Sequence, residues 1–277
     1  MTRAQPPAPA ILAPAVKVDA LSKHFEDVAA VDTISFTVAP GETVGLLGGN
    51  GAGKTTTISM LLGLVKPSAG SVLVHGIDMA RDRTAALHRM NFESPYVDLP
   101  KRLSVEQNLV VFGKLYGLKD VRRRVRKVAD ELKISDLLKR QYGTLSAGQR
   151  TRVSLAKSLI NEPDLLLLDE PTASLDPDTA DWVRSYLEAY QKERNASILL
   201  ASHNMQEVER MCDNVLMMRK GKIVDRGSPA TLLERYGRQT MEDVFLDIAR
   251  ERRRVPDTNA TPVPTQAADE TTLGQTG

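Results

Sequence analysis

Val44-Gly45-Leu46-Leu47-Gly48-Gly49-Asn50-Gly51-Ala52-Gly53-Lys54-Thr55-Thr56-Thr57 reads as an apolar strand, a glycine-rich turn and the opening of a helix. Backbone amides converge on an anion only where no Cβ blocks the dihedrals or the close approach, and Gly48, Gly51 and Gly53 give that freedom. The helix expected from Lys54 aims its unsatisfied amides and partial positive charge at the same point. Gly48, Gly49, Asn50, Gly51, Ala52, Gly53, Lys54, Thr55 and Thr56 therefore form a candidate polyphosphate cradle. In it Lys54 reaches the β and γ phosphates and the Thr55 hydroxyl ligates Mg2+. Val44, Leu46 and Leu47 suit a buried parallel strand, while Ile58, Leu61, Leu62 and Val65 share one helical face.

Around this stretch, 277 residues suffice for one α/β core with an inserted subdomain. With 37 basic residues against 35 acidic ones, the net charge of +2 gives no general attraction to nucleic acid, and no nucleic-acid partner is expected. Cys212 is the single cysteine, which excludes an internal disulfide framework. No apolar run is long enough to span a bilayer. Residues 1–15, rich in Ala and Pro, lack the basic start and apolar block of a secretory signal and read as a disordered arm. The Pro/Thr-rich residues 255–277 read as a disordered tail.

In chain order, Val16 to Leu21 and Thr33 to Val38 suit two strands, with Pro40-Gly41 turning the chain into the cradle strand. Between them lies Phe25, in a chain only 4% aromatic. The ring suits a nucleotide base with Val31 packed beside it, or equally a partly buried hairpin. Ser71 to His75 is a further short strand. From Thr84 the texture turns helical and charged, an insertion spanning about residues 84–161 and entered through Asn91 to Pro100. The basic run Arg122-Arg123-Arg124 within it reads as a solvated face rather than a nucleic-acid site.

Leu145-Ser146-Ala147-Gly148-Gln149 opens another helix. Ser146 and Gln149 have capping-box spacing, yet a small-residue helix N-terminus bearing a hydroxyl also suits a γ-phosphate, and the two readings stand level. Leu165 to Leu168 is a buried strand ending in Asp169-Glu170, where adjacent carboxylates cost free energy unless the site's chemistry uses them. Asp169 suits the Mg2+ shell, through water, and Glu170 the attacking water. Ser174-Leu175-Asp176 precedes a helix from about Pro177 to Glu193, and a strand from Ile198 to Ala201 runs into His203. A histidine at that strand edge lies where α/β ligands bind, although alone it is more often an ordinary polar residue.

Together these motifs resemble the nucleotide-binding subunit of an ATP-binding cassette (ABC) transporter, in the family's order and over about residues 16–238. Gly48 to Thr55 resembles the Walker A loop, and Leu145 to Gln149 the signature motif with Ala147 where Gly is usual. Leu165 to Glu170 resembles Walker B with the catalytic glutamate, Ser174 to Asp176 the D-loop, and His203 the switch histidine. Phe25 falls at the adenine-stacking aromatic. The resemblance implies a P-loop NTPase fold: a mixed, largely parallel α/β sheet with an antiparallel β subdomain and a helical insertion. It further implies ATP and Mg2+ as cofactors, and Glu170 and His203 as catalytic. A second copy or a homologous ATPase subunit would close head to tail over two nucleotides, each seated on one Walker loop and the other chain's signature serine. An integral membrane permease would be the further partner, placing the chain peripherally at the cytoplasmic face. The stretch Thr240 to Leu246, within a C-terminal helix over residues 239–254, resembles ATPases of drug, antibiotic or polysaccharide exporters. Two departures stand out: Gly49 replaces a usual proline, and Met90 to Tyr96 lacks the family's glutamine, leaving Glu93, Ser94 or a water to supply its oxygen. The rival readings are a soluble ABC ATPase regulating translation or DNA repair, and a P-loop kinase.

Overall fold

The computed structural model describes residues 13–94, 98–173 and 175–250. Ser174, Pro95, Tyr96, Arg252 to Arg254, the arm up to residue 12 and the Pro/Thr-rich tail lie outside them. The elements run β1 (Val16–Phe25), β2 (Val28–Val38), β3 (Thr43–Leu47), α1 (Lys54–Leu61), β4 (Ala69–Val74), β5 (Ile77–Asp78), α2 (Arg83–His88) and β6 (Met90–Glu93). There follow α3 (Val105–Leu115), α4 (Val121–Glu131), α5 (Ala147–Ser158), β7 (Leu165–Asp169), α6 (Pro177–Arg194) and β8 (Ser197–Ala201). The chain continues with α7 (Met205–Met211), β9 (Asn214–Arg219), β10 (Lys222–Gly227), α8 (Pro229–Tyr236) and α9 (Met241–Ala249).

Two sheets carry these strands, matching the fold class read from the sequence. The antiparallel one has order β2-β1-β4-β5, and the larger has order β10-β9-β3-β8-β7-β6. From β9 to β6 the larger sheet is parallel, with β10 antiparallel at its edge. Both faces of a parallel sheet are covered, which is why β7 is four successive leucines, all fully buried. Leu165 and Leu167 pack with the β-subdomain half of the core, and Leu166 and Leu168 with the helical half. Each contributes about 1.5–3 kcal/mol by leaving water.

Two boundaries differ from expectation. The first hairpin is longer, because β1 continues through Lys23-His24-Phe25 to pair Phe25 with Val28; bulges along it break the two-residue alternation that marks a strand. Met90–Glu93, expected within the helical insertion, is instead an edge strand paired in parallel with β7, Met90 opposite Leu165 and Glu93 opposite Leu168. Met-Asn-Phe-Glu has no β-branched residue to announce a strand, so tertiary pairing decides its conformation. On α4, Val121, Val125 and Val128 are buried while Arg122, Arg123 and Arg126 face solvent, the solvated face expected of that basic run. Arg124 turns inward and donates to the carbonyls of Leu159 (2.6 Å) and Ile160 (2.9 Å) just past α5.

Candidate functional site

The phosphate loop hangs between β3 and α1, and neighbouring backbone dictates two of its glycines. A Cβ on Gly48 would lie 2.5 Å from the Met218 carbonyl oxygen; one on Gly53, at φ +106°, would lie 2.6 Å from that of Ala30. At Gly49 a Cβ would meet nothing within 4 Å, so space does not demand that glycine. The turn between β9 and β10 fastens the loop from outside: Gly221 N donates to Ala52 O (3.0 Å), and Asp32 N to Gly221 O (2.8 Å). No side chain caps α1, whose first amides open toward the loop. Lys54 Nζ folds back onto the carbonyls of Gly48 (2.5 Å) and Gly49 (3.3 Å). Burial holds it below the usual lysine range, against the opposing pull of Glu170 and Asp169.

A cavity of about 650 Å³ opens over this loop, lined by Gly49 to Thr56 together with Val28, Ala29, Ala30 and Lys220. Phe25 stands half exposed at the hairpin end beside it, with Lys23 Nζ 4.8 Å from its ring centroid. Val31 does not take the place expected of it: it is fully buried in the core, and Val28 meets the cavity instead. The start of β2 does not alternate: Val28, Ala29 and Ala30 in succession line the cavity, beside the bulges in the pairing with β1, and Val31 is the first residue of the strand to enter the core. Lys220, on the β9–β10 turn, was not singled out by the sequence, where it is one more surface lysine.

Across the sheet, Asp169 ends β7, and burial followed by the charge of Glu170 holds its carboxyl above the usual range despite Lys54. Glu170 has left-handed backbone (φ +55°) and donates its N–H to Ala201 O (2.8 Å), which turns its side chain over β8. There Oε2 accepts from His203 Nδ1 at 2.7 Å and faces the His203 amide at 3.4 Å. The imidazole is 74% exposed and the carboxylate only 14%, so a fixed base holds a ring reaching into solvent. Among the described residues no cluster of three or more His, Cys, Asp or Glu forms a resident metal centre. The hard oxygens of Thr55 and Asp169 fit Mg2+ arriving with a nucleotide.

Leu145 is buried, Ser146 is exposed, and the capping box is real: Ser146 Oγ accepts from Gln149 N (3.3 Å) and Gln149 Oε1 from Ser146 N (3.1 Å). The Ser146 hydroxyl proton is not used by that cap. Ser146, Ala147, Gly148 and Gln149 line a separate cavity of about 420 Å³ with Arg152, Leu175, Asp176 and Thr179. No residue lines both this cavity and the one over the phosphate loop. Asp176 caps α6 by accepting from Thr179 N (3.0 Å).

Glu93 ends β6. It lies on the Leu168 side of the sheet, beside Ser154 and Lys157 of α5, and is 4% exposed. Lys157 Nζ, itself buried, donates to Phe92 O (2.7 Å). Burial raises the pKa of Glu93, and the charge of Asp169 helps to raise it. The sequence also gave no signal for Glu207, a fully buried carboxylate between the loops that carry Glu170 and His203.

The profile of the ABC transporter family matches residues 31–173. The ABC transporter ATP-binding protein NatA of Bacillus subtilis (strain 168) is 34% identical over 232 residues, covering 81% of this chain and 94% of that one. The Nod factor export ATP-binding protein I of Paraburkholderia xenovorans (strain LB400) is 35% identical over 221 residues, covering 79% of this chain and 72% of that one. Among solved structures, CbiO1 from Clostridium perfringens, described as part of the ABC transporter complex CbiONQ, superposes with a TM-score of 0.71 at 31% identity, covering 86% of this chain and 97% of that one. The chain belongs to the ABC transporter family, as an ATP-binding subunit.

Proposed function

We propose that the chain hydrolyses MgATP as one half of a head-to-tail dimer and drives a separate membrane permease that exports its cargo. The observation that carries the reading is the Glu170–His203 contact of 2.7 Å, with Asp169 and Lys54 close enough to act electrostatically on each other. Lys54 leaves the Gly48 and Gly49 carbonyls for the β and γ phosphates, and Thr55 and Asp169 would hold Mg2+, which would neutralise charge on those phosphates. Glu170 orients a water and takes its proton as the new oxygen–phosphorus bond forms and the bond to ADP breaks. His203, held by Glu170, reaches the γ-phosphate. The partner's Ser146 to Gln149 would close the site, which agrees with the two motifs lining separate cavities within one chain.

Export is favoured by the name of the Nod factor relative and by the sequence of α9. A permease partner is favoured by the complex to which CbiO1 belongs. No helix among the described residues is long and apolar enough to cross a membrane. The permease would supply the membrane path, with this subunit peripheral at its cytoplasmic face.

Glu170→Gln keeps the shape of the site but removes its base. The variant is expected to bind MgATP, to accumulate as a dimer by light scattering and to lose turnover by at least about 10²-fold. Parental turnover in this variant would overturn the role given to Glu170.

A further inference from the structure

Glu207 is fully buried, on α7, and both its carboxylate oxygens are occupied. Thr172 Oγ1 donates to Oε1 at 2.9 Å, and Ser202 Oγ donates to Oε2 at 2.6 Å. Thr172 follows Glu170 by two residues and Ser202 precedes His203 by one. Ser202 Oγ also accepts from Asn204 N (3.0 Å), while Asn204 Oδ1 accepts from Gln206 N (3.1 Å) and Glu207 N (3.3 Å) at the cap of α7. One carboxylate thus ties the loop after β7 to the loop after β8, the loops that carry the pair at 2.7 Å.

We infer that Glu207 is a positioning residue, which fixes the distance between Glu170 and His203 by bridging Thr172 and Ser202. An unpaired carboxylate in this place would be strongly destabilising, and two short hydroxyl bonds make it tolerable. The groups facing it are those two hydroxyls, with the charges of Arg184 and Glu170 further off. The same bonds transmit position, since neither loop moves against the other without breaking one of them. Glu207 touches no part of the phosphate loop, so it acts on the chemical step and not on nucleotide affinity.

The inference rests on the proposed hydrolysis, so one of its tests is independent of turnover. Removing the bridge with Glu207→Ala is expected to move the His203 ring resonances toward those of Glu170→Ala, in which the ring has lost its partner. The protein's other three histidines serve as internal references, with His203→Gln giving the assignment. In turnover, Glu207→Ala is expected to lose on the order of 10²-fold in kcat, with the dissociation constant of a fluorescent ATP analogue changed less than about threefold. Glu207→Gln, able to accept one hydroxyl and donate to the other, is expected to recover most of the loss. If Glu207→Ala does not fold, Thr172→Val and Ser202→Ala each cut one arm and are expected to show smaller changes of the same kind. Unmoved His203 resonances in a folded variant lacking an arm would overturn the positioning role. Moved resonances in a parent that does not hydrolyse ATP would instead uphold the bridge and overturn the proposed function.

Discussion

Glu93 has a carboxylate oxygen, Oε2, without a hydrogen-bond partner among the described residues, and burial pushes its pKa up to about 7 against the opposing effects of Lys157 and Ser154. From an unfolded value of 4.5, that rise makes native stability depend on pH. Below pH 4.5 both states hold the proton and the contribution is fully present; as pH climbs to about 7 the unfolded chain ionises first and the contribution is lost. At 1.36 kcal/mol per unit the loss is about 3 kcal/mol. Glu93→Gln does not titrate, so its stability relative to the parent is expected to rise between pH 5 and pH 7 and then level off. Urea midpoints measured across that range check this, and a gap independent of pH would contradict it. At this scale the sequence tells which residues are chemical, not which way they face. The glycines at Gly48 and Gly53 were legible from the anion-binding turn they suit, to which the structure adds a reason from elsewhere in the chain, the carbonyls of Met218 and Ala30. The facing of Val31 and Glu93 was not, because it depends on register with strands far away in the chain.

At the scale of elements, α5 caps itself at the end that the proposed function sets against the partner's nucleotide. Ser146 and Gln149 close a capping box, and the same serine presents its hydroxyl to an open cavity, so the two readings of that spacing, level in the sequence, are compatible. They separate by substitution. Ser146→Ala is expected to lose about 1 kcal/mol of stability with the cap, whereas Ser146→Asp, an equally good cap, is expected to stay within about 0.5 kcal/mol of the parent. Both lose the hydroxyl donor, so both are expected to lose ATP turnover by on the order of 10²-fold. Thermal unfolding and phosphate release, measured on the same samples, distinguish the roles; a fully active Ser146→Asp would leave only the cap. The helices α1, α5, α6 and α9 were legible because caps and apolar spacing are local signals, Asp176 with Pro177 marking α6 and Thr240 marking α9, whereas α7 and α8 were not read from the sequence. β6 was not, since four residues without a β-branched side chain are a strand only because β7 lies beside them.

At the scale of the whole molecule, the phosphate loop and the signature helix N-terminus line different cavities, so each chain holds two incomplete sites under the proposed reading. A net charge of +2 leaves little general repulsion between copies. If sites form only across a head-to-tail pair, two inactive variants can repair one another. Lys54→Ala lacks the phosphate cation and Ser146→Asp lacks the signature hydroxyl, so each homodimer has two defective sites. In the mixed dimer one site combines both defects, while the other joins the sound phosphate loop of the Ser146→Asp chain to the sound signature of the Lys54→Ala chain. Random pairing makes half of the dimers mixed, each with one working site of two, so an equimolar mixture is expected to recover up to about a quarter of parental turnover. The chain carrying both substitutions supplies the control, since mixing it with either single variant leaves no sound site. Sites completed within one chain would give no recovery in any mixture. Phosphate release from the three mixtures, with light scattering to confirm that dimers form, decides between the two arrangements.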